Sequence, residues 1–306
     1  MTLRIGLIGC GKWGRNILRD LVSLGATVDV VAPSEQSRAT ACELGAASAV
    51  ADINALTSAP DGFVIATPTN THADMIDRLL PTGRPLFVEK PMTNDAARAR
   101  RIAAAGGSRV FVMDKWRYHP AVETLAALAR SGELGEIQAI RSFRLGWGNP
   151  HDDTDAIWHL LPHDLSMVLE ILGYLPAARC AWVGNVRRQS DDFLGVLQDE
   201  TDGPRATVEI ATSHPAVRRS IVVIGSRGSA QLPDTYSDHI ARAQGVPGAE
   251  HDRPYQQAVS TEMPLLKELR AFLDHLQGGP PPRSSAAEGV QIIERIAALR
   301  TLAGLD

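Results

Sequence analysis

Three glycines near the start of the chain have the spacing of a phosphate-binding turn. The sequence Gly9-x-Gly11-x-x-Gly14 follows an apolar run over residues 3–8, and a helical pattern begins directly after it. Gly9 permits a tight turn, Gly11 lets a pyrophosphate approach the backbone, and Gly14 lets the helix pack against the strand. Free N–H groups and the dipole at a helix start favour negative charge. The pattern predicts dinucleotide binding, with a plain structural turn as the alternative.

Two side chains within this turn each have two roles open to them. Lys12 either neutralises a phosphate or is simply solvated. Trp13 either covers the pyrophosphate loop or packs into the interior, which is the default for an indole.

Lys90 and His163 are suited to hydride chemistry. Moving a hydride between a secondary alcohol carbon and a nicotinamide needs a group that takes or returns the hydroxyl proton and a donor that stabilises the developing alkoxide. Lys90 stands at a strand end before Pro91, where it could stabilise that charge. The imidazole of His163 titrates near neutral pH and is the natural proton acceptor. The alternatives are a surface lysine at a strand end and a histidine that caps its helix. Glu89 is expected to orient Lys90 or the nicotinamide amide rather than to react.

The choice between NAD and NADP depends on the residue that closes the second strand. An acidic side chain there would bind the ribose 2′-hydroxyl, whereas a small hydroxyl residue with a nearby arginine would accept a 2′-phosphate. This chain has Ser34 at that place and Arg38 one helical turn later, while Asp29 falls in the middle of the strand. These residues favour NADP over NAD, with a solvated Arg38 and an inward-turned Glu35 as the alternatives.

The first third of the chain alternates between strand and helix patterns, which predicts βαβ units and a doubly wound parallel sheet. Strands are predicted over residues 3–8, 27–32, 48–50, 62–66, 86–88 and 109–113, and helices over 36–44, 54–57, 73–80 and 95–105. Ligands of such sheets bind beyond the carboxyl ends of the strands. The loops that begin at Gly9, Pro33, Thr67 and Glu89 are therefore expected to line one crevice, with Thr67, Pro68 and the helix-start residue His72 near the cofactor.

The second half has the pattern of a mostly antiparallel sheet. Short turns separate predicted strands over residues 137–145, 178–186, 193–198, 205–211, 220–224 and 229–232. One helix is predicted over residues 164–172, and two more over 265–276 and 286–302. Residues 234–262 have two prolines and little periodicity, which favours a long loop or an insertion that contacts a partner. We therefore predict a Rossmann domain over residues 1–117 and an α+β domain over residues 118–306.

Composition limits the class of protein. The chain has 306 residues, 44% of them hydrophobic and 22% charged, which is ordinary globular usage. Its net charge of −4 gives no reason to expect nucleic acid or an anionic membrane as a partner. Three widely spaced cysteines suit a reducing compartment, and no apolar run is long enough for a membrane span. A cytoplasmic location is expected.

Several motifs in combination resemble the glucose-fructose oxidoreductase / inositol dehydrogenase / MocA family of NAD(P)-dependent dehydrogenases. The resemblance runs over nearly the whole chain, through the glycine turn, Ala66-Thr-Pro68 with His72, Glu89-Lys90-Pro91, Arg117-Tyr118-His119-Pro120, His163 ahead of Leu172-Gly173, and Gly225-Ser-Arg-Gly228. It implies oxidation or reduction of a carbon of a sugar, cyclitol or nucleotide-sugar. It also implies catalytic roles for Lys90 and His163, a cis peptide before Pro91, and a homodimer or homotetramer formed through the open C-terminal sheet.

One position departs from the family pattern. His159 stands four residues before His163, where the family usually carries an aspartate. A neutral histidine supplies no negative charge, and a protonated one would lower the pKa of His163. Either His159 contacts substrate, for example a phosphate, or catalysis is altered or lost, which would leave a cofactor-binding regulator or scaffold. Asp164 or Asp155 could supply the missing carboxylate.

Further candidates carry weaker signals. Arg117 and Tyr118 either contact substrate or nicotinamide or serve the core and hinge, and Trp158 either stacks on a sugar or packs internally. A zinc site from His159, His163 and Asp164 is conceivable by residue type, but hydride chemistry explains the pattern better, so no metal is expected.

Overall fold

The chain divides into two compact units. The structure is a computed structural model that describes residues 2–148, 154–184, 192–199, 203–245 and 253–305. One unit comprises Met1–Lys115 and Met263–Ile293, and the other comprises Trp116–Glu262 and Glu294–Asp306. The sequence-based division at residue 117 differs from these units, because it placed residues 263–293 in the second domain.

The first unit is built on a six-stranded parallel sheet. Its strands, in the spatial order β3-β2-β1-β4-β5-β6, are β1 (Arg4–Ile8), β2 (Thr27–Val31), β3 (Ser48–Val50), β4 (Gly62–Ile65), β5 (Leu86–Glu89) and β6 (Val110–Met113). Every neighbouring pair is parallel. The strand order reverses beside β1, and this is where dinucleotide-binding sheets take up their ligand. The predicted doubly wound parallel sheet is confirmed.

Helices connect and cover these strands. They are α1 (Gly14–Ser23), α2 (Glu35–Glu43), α3 (His72–Leu79) and α4 (Ala96–Gly106), with a 3-10 turn at Ile53–Ala55 in place of the helix predicted over 54–57. A further helix, α7 (Pro264–Leu276), belongs to this unit because its apolar face joins the unit's core. The rings of Phe87 on β5 and Phe272 on α7 stack with centroids 4.9 Å apart. Contacts of this kind explain why residues 263–293 belong to the first unit and not to the second.

The second unit contains an eight-stranded sheet. Its strands are β7 (Ile137–Trp147), β8 (Ala178–Gly184), β9 (Asp192–Leu197), β10 (Arg205–Ala211), β11 (Ser213–Gly225), β12 (Gly228–Leu232), β13 (His239–Gln244) and β14 (Tyr255–Ala258). The order is β14-β13-β12-β11-β7-β10-β9-β8, and only the β7–β10 pair of these strands is parallel. The predicted largely antiparallel sheet is confirmed, and residues 185 and 186 of the strand predicted over 178–186 lie outside the described residues.

Two strands correct the sequence analysis of residues 234–262. This segment was predicted to be a long loop or an insertion that contacts a partner, but it is not without regular structure: β13 pairs with β12, and β14 pairs with β13 at the sheet edge. Polar residues such as Gln256 and Gln257 hide the alternation that marks a strand, because an edge strand with little burial needs no apolar face. Residues 246–252 of this segment lie outside the described residues.

The helices of the second unit also go beyond the prediction. Helix α5 (Pro120–Ser131) was not assigned from the sequence, and α6 (Ala156–Leu172) begins eight residues earlier than predicted. Asp155 caps α6 by accepting a hydrogen bond from the backbone N–H of Trp158 at 3.1 Å, and Pro162 is accommodated inside the helix. Burial of the helix offsets the backbone hydrogen bond that Pro162 cannot donate. Helix α8 (Ala286–Leu302) has residues in both units, and no helix among the described residues could cross a bilayer.

Candidate active site

The glycine turn after β1 has the geometry that a pyrophosphate requires. Gly9 has φ +98°, and a Cβ atom there would lie 2.6 Å from the carbonyl oxygen of Ala66. A Cβ on Gly14 would collide with the carbonyl oxygen of Gly9, whereas a Cβ on Gly11 would meet no atom within 4 Å. Two glycines are thus required by the backbone itself, and the third leaves open space beside it. The start of α1 has no side-chain cap, so its N–H groups and dipole suit an anion in that space.

Trp13 connects the glycine turn to the end of β5. Its indole Nε1–H donates to a carboxylate oxygen of Glu89, whose other oxygen accepts a hydrogen bond from the backbone N–H of Lys90 at 3.2 Å. The ammonium of Lys115, which follows β6, lies 4.2 Å from the centre of the Trp13 ring. Lys12 is exposed. Trp13 therefore holds two strand ends together in the first unit, a role that neither sequence-based alternative included.

Thr67, Pro68 and His72 form the loop after β4. His72 is 1% exposed, and its ring nitrogens Nδ1 and Nε2 each lie 2.8 Å from a carbonyl oxygen, of Pro91 and Thr67 respectively. Burial is the main cause that lowers the pKa of His72, although both backbone contacts oppose it. The imidazole thus lies between the loop after β4 and the loop after β5, and in its neutral form it donates its one N–H to only one of these two carbonyls. Thr67 is half-buried and Pro68 is exposed at the same edge of the sheet.

Lys90 lies where the sequence placed it, directly after β5. Its side chain is half-buried, and the Lys90–Pro91 peptide is cis, as the family resemblance predicted. The neighbouring strands β4, β5 and β6 end at this edge, which is the ligand side of a parallel sheet. The structure therefore brings Lys90 and Glu89 together with Trp13.

The carboxylate within β2 is already engaged, and Glu35 at the start of α2 is exposed. Asp29 is 3% exposed and is held by the Arg4 guanidinium at 2.7 Å and the Ser48 hydroxyl at 2.7 Å. Ser34 caps α2 by accepting a hydrogen bond from the Ser37 N–H at 3.3 Å. The Nη1 group of Arg38 donates to the backbone oxygens of residues 32 and 33 at 2.9 and 2.7 Å. Arg38 is therefore folded back onto the loop after β2, and it is not merely solvated.

Helix α6 places His159 and His163 one turn apart in the second unit. Both side chains are half-buried, and the ring of His163 meets the edge of Trp116 with centroids 6.3 Å apart. Trp158 is 9% exposed and has the Arg300 guanidinium 5.7 Å from its ring centre. Its burial favours the packing alternative for that indole.

Neither neighbouring aspartate is available to substitute for the aspartate that the family pattern has at the position of His159. Asp164 is fully buried, and it accepts hydrogen bonds from the Ser142 hydroxyl and from Nε of Arg144, the latter at 2.7 Å. Asp155 caps α6 and pairs with Arg300. Both carboxylates are therefore used to hold α6 in place. Among the described residues, no three His, Cys, Asp or Glu side chains form a group that could hold a metal ion.

Arg117 and Tyr118 belong to the packed interior of the second unit. Nε of Arg117 donates to Glu170 at 2.9 Å, and both side chains are 9% exposed. Tyr118 is 4% exposed. These contacts favour the core role that the sequence left open beside substrate contact.

Sequence reasoning missed Glu268, Lys115 and Arg144. Glu268 is fully buried on α7, on the same face as Leu265, Leu269 and Phe272. A charged residue on the apolar stripe of an amphipathic helix is a detectable signal, because carboxylates are rarely buried without a specific reason. Arg144 and Lys115 have no such signal in the sequence.

The fold and these residues define an oxidoreductase with an NAD-binding Rossmann fold. The chain belongs to the GFO/IDH/MocA family: residues 3–112 match its NAD-binding oxidoreductase domain, and residues 122–231 match its C-terminal domain. It acts on CH–OH groups.

A relative supports the family assignment, and solved structures share the fold. The chain is 32% identical to inositol 2-dehydrogenase of Rhizobium meliloti strain 1021 over 273 residues, which cover 85% of this chain and 79% of the relative. UDP-N-acetylglucosamine 3-dehydrogenase of Acidithiobacillus ferrooxidans has a structure with TM-score 0.85 at 22% identity, covering 99% of this chain and 98% of that one. Levoglucosan dehydrogenase in complex with NADH and levoglucosan has TM-score 0.87 at 17% identity, covering 99% and 98%.

Proposed function

We propose that this protein transfers a hydride between a nicotinamide dinucleotide and a secondary alcohol or ketone of a sugar, cyclitol or nucleotide-sugar. The observation that carries the proposal is the glycine turn joined to the end of β5 through Trp13 and Glu89, directly before Lys90. The bound dinucleotide would supply or accept the hydride. The turn would hold its pyrophosphate through the N–H groups at the start of α1.

Lys90 and His163 are proposed as the two catalytic residues, one for charge stabilisation and one for proton transfer. The Lys90 ammonium stabilises an oxygen that becomes an alkoxide when the hydride leaves its carbon. The imidazole of His163 accepts the hydroxyl proton in oxidation and returns it in reduction. Glu89, anchored by Trp13, is proposed to orient Lys90 through the backbone N–H that it accepts from.

The test of these roles is a pair of variants. Lys90→Ala and His163→Ala are expected to lower kcat by about 10² or more, the usual contribution of a general acid or base. Affinity for the reduced dinucleotide, measured by nicotinamide fluorescence, should change by only a few-fold. A kcat within a few-fold of the parent for Lys90→Ala would remove the proposed role.

NADP is proposed as the preferred cofactor, with NAD as the alternative. Asp29 is already bonded to Arg4 and Ser48, so it offers nothing to a ribose hydroxyl, while Ser34 and Arg38 lie at the loop that follows β2. Titration with NADPH and NADH should show at least a tenfold preference for NADPH, or about 1.4 kcal/mol. Arg38→Ala should reduce that ratio and leave NADH affinity unchanged; an unchanged ratio would contradict the assignment.

The substrate class is tested with a panel chosen from the chemistry of the relatives. Myo-inositol, UDP-N-acetylglucosamine and levoglucosan represent a cyclitol, a nucleotide-sugar and an anhydrosugar. Turnover is followed through nicotinamide absorbance in both directions. Failure of every member, together with tight dinucleotide binding, would favour the second candidate below.

The second candidate is a dinucleotide-binding regulator or scaffold with altered or lost catalysis. The observation that favours it is His159, because Asp164 and Asp155 are both engaged elsewhere. His159→Asp separates the possibilities. A large rise in turnover would mean that His159 weakens catalysis, whereas a loss of turnover would mean that it binds the native substrate.

Self-association and location complete the proposal. Trp147 and Trp182 on the sheet of the second unit are 67% and 56% exposed, which suits a homodimer or homotetramer formed through that sheet. Light scattering of the purified protein, with Trp182→Lys as a disrupting variant, tests this. A cytoplasmic location is proposed because Cys10, Cys42 and Cys180 are free thiols.

A further inference from the structure

Glu268 is a buried acid that the proposed reaction does not use. Its side chain is 0% exposed on α7, and neither carboxylate oxygen has a hydrogen-bond partner among the described residues. The helix face that carries it packs Leu269 and Phe272 into the core of the first unit. An ionised carboxylate in such a place would lose its hydration without replacement, which is unfavourable.

The charges around Glu268 do not favour its ionisation. Burial is the largest cause that raises its pKa, followed by the negative charge of Glu89; Asp114 acts in the same direction, and Lys115 opposes them. Glu89 comes from the end of β5, and Asp114 and Lys115 follow β6. Helix α1, which also packs against α7, carries Asp20, whose carboxylate is held by Arg19 at 2.8 Å. Complete burial beside two acids therefore points to a neutral Glu268.

Lys115 links this acid to the dinucleotide turn. Its ammonium lies 4.2 Å from the Trp13 ring centre, and the same indole donates to Glu89. A negative charge on Glu268 would attract Lys115 away from the indole and repel Glu89, because both charges act on Glu268 and charge–charge forces are strong in a medium of low dielectric constant. Ionisation would thus disturb both contacts that hold Trp13.

We propose that Glu268 is protonated and neutral in the folded protein and acts as a positioning residue. Its proton allows Glu89 and Lys115 to stay in contact with Trp13, and these contacts hold the glycine turn in the conformation that binds the dinucleotide. The inference rests on the proposed dinucleotide function. It adds a residue from α7, far from the turn in sequence, to the groups that determine cofactor affinity.

The first experiment measures thermal stability without any dinucleotide. An acid whose pKa is raised in the folded state binds more protons when the chain is folded than when it is unfolded. The free energy of unfolding therefore falls as the pH rises above the pKa that the acid has in the unfolded chain. Relative to the parent, Glu268→Gln should therefore gain stability from pH 5 to pH 8. Asp274→Asn, at an exposed acid on the same helix, is the matched control and should show a constant difference. Glu268→Met serves as a second neutral variant if the amide packs poorly.

A Glu268→Gln variant that is less stable than the parent by the same margin at every pH would overturn the proposal, because that result would mean that folding does not raise the pKa of Glu268. A growing advantage of the variant with pH supports it. This comparison involves no ligand, so it stands or falls separately from the dehydrogenase assignment.

The second experiment titrates NADPH and NADH against the parent, Glu268→Gln and Trp13→Phe. At pH 7, Glu268→Gln should bind within about twofold of the parent, since an amide replaces a neutral acid. Toward alkaline pH the parent should lose affinity and Glu268→Gln should keep it, while Trp13→Phe should bind weakly throughout. A tenfold loss for Glu268→Gln at pH 7 would overturn the positioning role, and parent protein that binds neither dinucleotide would refute both this role and the proposed function.

Discussion

Replacing Arg144 by methionine is expected to destabilise the second unit strongly. Nε of Arg144 lies 2.7 Å from Asp164, and the two side chains are 6% and 1% exposed. Without the guanidinium, Asp164 keeps the Ser142 hydroxyl but has no compensating charge. Breaking a buried ion pair from one side costs about 3–5 kcal/mol. At about 2–4 °C per kcal/mol for a unit of this size, the melting temperature should fall by roughly 6–20 °C.

The assay is calorimetry of the parent, Arg144→Met, and the double variant Arg144→Met/Asp164→Leu. Removing both partners leaves no stranded charge, so the double variant should recover much of the loss. Arg141→Met is the matched control, because Arg141 is an exposed residue of the same strand and should change stability by about 0.5 kcal/mol or less.

Two results would refute this reasoning. An Arg144→Met variant within about 1 kcal/mol of the parent would mean that Asp164 is not a stranded charge without its partner. A double variant no more stable than the single one would locate the loss in packing, including the contact of the Arg144 guanidinium with the Trp116 ring, 4.8 Å from its centre.

Three further outcomes are expected. Gly14→Ala should abolish NADPH and NADH binding in a fluorescence titration, because its Cβ would collide with the Gly9 carbonyl. The lowered pKa of buried His72 means that its neutral form contributes stability that is complete above pH ~6.5 and is lost as the pH falls, so His72→Gln should flatten the acid side of a stability–pH profile. Phe272→Ala should cost about 3–5 kcal/mol in denaturant unfolding by removing the ring that stacks on Phe87.

Patterns that depend on near neighbours in the sequence were predicted correctly. The glycine turn, the alternation of strand and helix in residues 3–113 and the antiparallel second sheet follow from spacing and periodicity, and the structure confirms them. Lys90 at the end of β5 was likewise placed from the strand that precedes it. The turns and the periodicity of strands and helices are signals carried by neighbouring residues, so they can be recognised without knowing the distant pairing partners.

Where burial overrides a local signal, the sequence prediction differed from the structure. The helix predicted over residues 164–172 begins at Ala156 instead, because Asp155 caps it there and burial of α6 carries it through Pro162. The polar strands β13 and β14 have no apolar alternation and form by pairing along the sheet edge. Asp164 and Asp155 looked available beside His163, but Arg144 and Arg300, which are distant in sequence, engage them.

The sequence by itself determined the class of this protein, because a phosphate turn, a lysine at a strand end and a histidine ahead of a helix end are short-range patterns that seldom occur together by chance. The tertiary structure decided which charges are already engaged. Asp29 forms an ion pair with Arg4, and Trp13 donates a hydrogen bond to Glu89. Glu268 is buried in the first unit although it lies on a helix more than two hundred residues after Trp13. Such pairings depend on which side chains the fold buries together, and the cost of burying a charge, rather than its position in the sequence, selects them.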